Sequence, residues 1–516
     1  MFIKRSPQEF DEAREPLSLT VEISDFGPIN SGEITLKPLT VFIGPNNSGK
    51  SYAAMLINSI FAPQPDEWHS FPEDILTELS LHKMPDALRL QYELHKFIAE
   101  AMKLEEEERI TVPQSLLDRL ADTLFQHFYA RFLLDQITRS HGCEPADLIA
   151  IDRGEFVLRL NADSNETHLR YDGQRISVDK RPDLSMLPLE LIARSEQGVS
   201  RPIYFMEDEY SGTVTVDIPR HQDFIEEVLC KFVWQEYVNV VWPGQNRRSY
   251  YLPAARCGIL QAHKTLAAAE AAFYEQFQRH LEIPQLPGVV DSFISTLQQL
   301  DPERRSRYFQ TASTFERLLL NGRTGIGHKD NHRNLELLYS YRDIQMPLHR
   351  TSSTVSELAP LFLYLKHVVG RGSLLIIEEP EAHLHPANQR ILAQLLVRLI
   401  REGLTVLITT HSEFLLEQLS NFTLLSKLDP ETRRSYDDYG ENDYLKMDEV
   451  AVYLFRPESD EREGYVIKSV EIDEEDGISQ TEFVKVHKAL YQETLHLYHD
   501  LSDDDDDNDC ASTDEP

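Results

Sequence analysis

The chain has 516 residues, 27% charged and 41% hydrophobic, which suits a globular protein of two or three domains with a large core. Acidic residues outnumber lysine and arginine by 86 to 51, and the net charge of −35 disfavours a broad non-specific grip on nucleic acid while leaving room for a local basic patch. No apolar run approaches bilayer length, the N-terminus has no apolar signal core and the four cysteines form no C-x-x-C pair, so a cytoplasmic protein with reduced thiols is expected, without membrane span, disulfide framework or zinc ribbon.

The first chemistry-bearing stretch is VFIGPNNSGKSYAAM, Val41 to Met55. Gly44, four residues and then Gly49-Lys50-Ser51 fit G-x-x-x-x-G-K-[ST], after an apolar strand and before an apolar-periodic helix. Glycines let the backbone of Gly44, Pro45, Asn46, Asn47, Ser48 and Gly49 curl so that its N–H groups face a phosphate chain, and the helix adds its partial positive charge. Lys50 would reach the β- and γ-phosphates of ATP, and the Ser51 hydroxyl would take a position on Mg²⁺.

A helical region follows, in which Leu94, Phe97, Ile98, Ala101 and Leu104 line one face and Leu116, Leu120, Leu124, Phe128 and Phe132 another. Neither sustains heptads long enough for a coiled-coil arm. EFVLRL, THLRYDGQRISV and GTVTVD read as strands, with Asp172-Gly173 predicting a hairpin, and helices are expected from about Asp223 to Gln310. QNRRSYYLPAAR and ERRSRYF are the best basic and aromatic clusters, each either a solvated or protomer-contact surface or a DNA contact. GRTGIG, Gly322 to Gly327, has its glycines in the wrong order for a dinucleotide fingerprint and reads as a loop.

The complement to the P-loop lies 328 positions after Lys50, in GSLLIIEEPEAHLHP. Leu374 to Ile377 form a buried strand of parallel-sheet type, Glu378 would end it and hold Mg²⁺, and Glu379 would orient or deprotonate the attacking water. Helical spacing from Ile391 to Ile400, then LTVLITTHSEFLLEQL, completes a βαβ unit whose second strand ends at His411, placed to sense the γ-phosphate. His383 and His385 beside Glu381 lack further ligands at zinc-site spacing and read as a loop between protomers. Ser352 to Ser356 reads as a helix N-cap cluster, with Glu357 in the first turn. The end of the chain, with eight acidic residues from Asp503 to Glu515, reads as a disordered solubilising tail or a phosphate mimic.

Together these segments resemble the soluble branch of ATP-binding-cassette ATPases that includes the SMC, RecF and OLD-type proteins. LTVEISDFGPINSGEITLKPLTVFIGPNNSGKS is similar to that branch's opening hairpin and P-loop, EEPEAHLHP to its second strand and D-loop, TTHS to its H-loop, and HRTSSTVSELAPLFLYLKH occupies the place of its signature motif. Weaker similarity extends to YYLPAAR, which makes Arg256 a site candidate, and to the segment around Val450. Thr354 stands where many relatives have glycine, and Glu378 replaces the commoner aspartate.

The resemblance implies an α/β fold, an ABC-type P-loop ATPase head split by a large mixed helical and β insertion. It divides the chain into an N-terminal half of the head at 1–62, the insertion at 63–245, a C-terminal half at 246–425, an α/β extension at 426–500 and the acidic tail at 501–516. Ser352 and Ser353 would contact the γ-phosphate of ATP bound to the opposite protomer, in a homodimer or higher homo-oligomer with Glu379 and His411 catalytic. Slow ATP hydrolysis would gate a switch, as in the ATPase subunits of Septu or PARIS antiphage systems. The 105 residues after His411 are too few for a fused TOPRIM domain, so the effector nuclease would be a separate protein. The alternative is a RecF-like DNA-repair ATPase, which would need a basic face.

Overall fold

In the computed structural model the described residues are 19–61, 85–105, 108–162, 165–180, 190–194, 203–208, 212–215, 248–254, 256–262, 286–329, 334–436, 439–459 and 462–508. Their centre is an 11-stranded mixed sheet. Five neighbouring strands run parallel, in the order Ser249–Leu252, Leu374–Glu378, Thr405–Thr409, Leu39–Ile43 and Val450–Ser459. Arg462–Ser469 turns back antiparallel and leads to the opening hairpin, Leu19–Phe26 with Ile29–Leu36, and then to Phe156–Ala162, Asn165–Tyr171 and Ile176–Lys180. The sheet thus runs across the boundaries expected at 62/63, 245/246 and 425/426. A separate four-stranded sheet and a three-stranded one are formed by segments that lie between its strands in sequence.

The parallel strands are uniformly apolar because both faces are covered, and alternate residues go to opposite cores. Phe42, Leu374, Ile376 and Leu407 join the helix Lys50–Phe61 and the helices of the insertion. Leu39, Val41, Ile43, Leu375, Ile377, Val406 and Ile408 join the helices Ser353–His367, Pro386–Arg401 and Glu413–Leu425. The expected βαβ unit is present as Leu374–Glu378, Pro386–Arg401 and Thr405–Thr409. The Asp172-Gly173 hairpin is present too, its Asp172 carboxylate accepting from the Gln174 and Arg175 N–H groups.

Three expectations are corrected. GRTGIG is not a loop: Arg323–Lys329 is a strand paired antiparallel with Asn334–Tyr341, because a partner supplies the ladder that the glycines weaken. The second helical stripe gains a buried series. Phe125–Tyr129 forms a π-helical turn between Gln114–Leu124 and Ala130–His141, and with its extra residue per turn Phe125, Tyr129, Leu133 and Ile137 are buried alongside Leu116 and Leu120 of the expected series. The acidic tail is not wholly disordered, since the helix Thr481–Asn508 runs through Asp503 to Asp507, each added residue extending a nucleated helix by one hydrogen bond. Residues 509–516, and most of the helical region expected before Gln310, lie outside the described residues. Cys143 and Cys257 are free thiols, with Cys230 and Cys510 outside the described residues. No described helix is long and apolar enough to cross a membrane.

Candidate functional site

The P-loop strand Leu39–Ile43 is buried throughout and stops at Gly44, whose φ of 142° is open only to glycine. A Cβ there would stand 2.3 Å from the Phe455 carbonyl oxygen, so the strand Val450–Ser459 backs the loop directly. Pro45, Asn46 and Asn47 are exposed, Asn47 at φ 60°. Ser48 Oγ closes the turn onto the Pro45 carbonyl at 2.8 Å, and Gly49 at φ 96° lies against Ile29. The helix begins at Lys50, with Ser51 half-buried beside it. Lys50 Nζ donates to the carbonyls of Pro45 at 2.6 Å and Gly44 at 3.0 Å. Burial lowers its pKa to about 8, against the opposing pull of the Glu379 and Glu378 charges.

Strand register brings the carboxylates to this loop. Glu378 pairs with Thr409 and Thr409 with Phe42, so three strands end side by side. Glu378 is buried; its Oε2 accepts from the Ala254 N–H at 2.9 Å, and its Oε1 is buried with no hydrogen-bond partner. The neighbouring Tyr251 hydroxyl has no partner at close hydrogen-bond geometry either, and burial, then the charge of Glu378 and a looser hydrogen-bonding contact with it, raises its pKa far above the ordinary phenol value. Glu379 sits in the left-handed region at φ 43°, with its N–H bound to the Thr409 carbonyl at 2.9 Å and its half-exposed side chain 3.8 Å from His411 Nε2. Burial and then the Lys50 charge lower the His411 pKa, with Glu379 opposing, so the imidazole is neutral at pH 7.

The expected Lys50, Glu378, Glu379 and His411 therefore converge at one end of the sheet. Ser352 and Ser353 form a second, exposed group at the start of the helix Ser353–His367, where Ser352 Oγ accepts from the Val355 N–H. Thr354 Oγ1 donates to the His383 carbonyl at 3.0 Å, linking this helix start to the loop after Glu379. His385 caps the helix Pro386–Arg401, and among the described residues no group of three or more His, Cys, Asp or Glu is arranged to hold a metal ion.

Two further residues are set here: Glu381, not assigned a role from the sequence, and Arg256, a site candidate by resemblance without a role. Glu381, buried, accepts through Oε1 from Thr410 Oγ1 at 2.6 Å and from the His411 N–H at 2.9 Å, and so sets the position of His411. Its third place after the strand end was the available signal. Arg256, fully buried, pairs with the equally buried Glu357 and donates to the Glu378 carbonyl at 2.8 Å. Nothing local in the sequence couples these two, which stand 101 positions apart.

The residues fit ATP with Mg²⁺: a lysine at the helix start faces two carboxylates, and Glu378 Oε1 is a buried oxygen with no close hydrogen-bond partner, an arrangement that a cation would relieve. A cleft of about 460 Å³ between the helices Pro386–Arg401 and Glu413–Leu425 is lined by Arg390, Leu424 and Tyr439 among others, and includes none of these residues.

Residues 261–416 match the model of an AAA ATPase domain. The match takes in Ser352, Glu378, Glu379 and His411. The match does not reach the P-loop at 44–51; together with the P-loop geometry it supports a P-loop ATPase of α/β fold. Similar solved structures include an Smc head bound to the C-winged helix domain of ScpA, at 11% identity over 89% of this chain and 99% of that one, with a TM-score of 0.35. An Smc head with an extended coiled coil bound to the C-terminal domain of ScpA, from Pyrococcus furiosus, is 12% identical over 92% and 100%, with a TM-score of 0.34. The SMC head domain from Thermotoga maritima is 10% identical over 89% and 100%, with a TM-score of 0.31. No curated protein matches the chain.

Proposed function

We propose that the protein binds and hydrolyses ATP as a two-state switch, each nucleotide held between the P-loop of one protomer and the Ser352-Ser353 helix start of another. The observation that carries this reading is the convergence of Lys50, the unpartnered Glu378 Oε1, Glu379 and neutral His411 at the ends of adjacent parallel strands. Lys50 exchanges its loop carbonyls for the β- and γ-phosphate oxygens, and the loop N–H groups hold the rest of the chain of phosphates. Ser51 and Glu378 would hold Mg²⁺, which neutralises phosphate charge. Glu379 takes a proton from the attacking water as oxygen bonds to the γ-phosphorus and the bond to the β-phosphate oxygen breaks, releasing ADP. His411 donates a hydrogen bond to the γ-phosphoryl oxygens.

Two exposed serines at a helix N-terminus suit a phosphate arriving from outside the protomer, which supports a homodimer or higher homo-oligomer. A γ-phosphate bridging two chains biases them towards a closed state that hydrolysis releases. The finer reading, a regulatory subunit of an antiphage system acting through a separate effector nuclease, follows from the sequence resemblance.

Phosphate release and light-scattering mass, with and without ATP and duplex DNA, test the proposal. Lys50→Ala is expected to abolish nucleotide binding. Glu379→Gln should bind ATP, lose roughly 100-fold or more in turnover and accumulate as the closed assembly. Wild-type turnover by Glu379→Gln would overturn the base assignment, and strong stimulation by DNA would favour a repair ATPase.

A further inference from the structure

Arg256 and Glu357 are each about 1% exposed at the side chain, a costly burial for two ions. Glu357 Oε1 accepts from the Arg256 backbone N–H at 3.0 Å and lies 3.2 Å from Arg256 Nε; its Oε2 accepts from the Cys257 N–H at 3.0 Å. The guanidinium turns its remaining donors to backbone carbonyls: Nε to Glu357 at 3.0 Å, Nη1 to Pro253 at 3.0 Å and Glu378 at 2.8 Å, and Nη2 to Glu379 at 3.5 Å. Glu378 Oε2 accepts from Ala254 in the same loop. The Glu379 peptide, at φ 43°, is therefore gripped on both sides, by Thr409 through its N–H and by Arg256 through its carbonyl. Glu357 stands in the first turns of the helix whose start bears Ser352 and Ser353.

We infer that Arg256 and Glu357 are positioning residues for hydrolysis: the buried pair ties the start of the Ser353–His367 helix to the peptide that carries Glu379, so the carboxylate is aimed only while that helix start is seated. The inference rests on the reading of Glu379 as the base. A purely structural pair would have no reason to spend its donors on the carbonyls of the two site glutamates, and a well-packed apolar pair would serve packing at least as well. The planar guanidinium also explains the residue type, since a lysine offers no planar set of donors reaching four carbonyls while lying beside a carboxylate.

The test uses the full chain carrying Arg256→Met with Glu357→Leu, which removes both charges together and leaves neither ion stranded. The expected result is a cooperative melt, lowered by the backbone groups left without partners, a dissociation constant for a fluorescent ATP analogue within about threefold, and a kcat at least tenfold lower. A wild-type kcat overturns the inference, and so does a loss confined to KM with kcat unchanged. Should the double variant fail to fold, Arg256→Lys decides: retained binding with lowered kcat supports positioning, and full turnover refutes it. Glu379→Gln is measured alongside. If that variant turns over like the wild type, the site reading has failed; if it is inactive while the apolar pair turns over normally, the positioning role has failed.

Discussion

Lys50 has a pKa near 8, not the ordinary 10.5, because burial outweighs the pull of Glu379 and Glu378. Only the ammonium form brings a positive charge to a phosphate chain, so raising the pH removes the strongly binding state before any nucleotide is present. About nine-tenths of the free protein carries the charge at pH 7 and about one-tenth at pH 9. Apparent affinity scales with the competent fraction, so the dissociation constant for ATP should rise roughly tenfold over that span, about 1.4 kcal/mol. The assay is titration with a fluorescent ATP analogue at saturating Mg²⁺ and fixed ionic strength, with Lys50→Met as the control that has no such charge to lose. Stability runs the other way. This lysine has its folded pKa depressed, so between about pH 8 and 10.5 the unfolded chain binds more protons at it, and its contribution to the stability of the nucleotide-free protein improves as pH rises. An affinity that stays flat from pH 7 to 9 would refute either the depression or the contact with phosphate.

Two further perturbations separate backbone from side chain and pair from ion. Glu379→Gly and Glu379→Ala both remove the carboxylate, but only glycine is at ease at φ 43°; the glycine variant should be the more stable by about 1 kcal/mol in a denaturant melt, and equal stabilities would refute strain there. Lys366 is buried against Glu316 at 2.9 Å, so Lys366→Met should cost about 3–5 kcal/mol by stranding the carboxylate, while adding Glu316→Gln should recover much of it. A single-variant loss under about 1 kcal/mol would show that the Thr324 N–H and hydroxyl satisfy Glu316 unaided.

The nucleotide strands were legible because a strand buried on both faces leaves a run of aliphatics, and a charged residue at the end of such a run has few structural uses. Leu374–Ile377 followed by Glu378-Glu379, and Thr405–Thr409 followed by His411, follow that rule. The third neighbour was missed as part of the central sheet. Val450–Ser459 has the same apolar character but carries no motif, and its place beside the P-loop is fixed only by pairing with Leu39–Ile43. Gly322–Gly327 misled because glycine suggests a turn whenever the strand partner is out of view. The π-helical turn at Phe125–Tyr129 adds a buried series that periodicity alone does not foresee. Arg256 was a site candidate by resemblance alone and Glu357 only a first-turn residue, and their pairing, made by distant segments, had no signal in the sequence.

The order of strands also governs when the site can exist during synthesis. Both neighbours of the P-loop strand come late, since Val406 pairs with Leu39 on one side and Val450 on the other. At ribosomal rates of about 5–20 residues per second, a gap of about 400 residues takes on the order of 20–80 s. Throughout that interval Leu39–Ile43 is an apolar segment with neither edge satisfied, and the growing chain depends on whatever shields nascent protein in the cell.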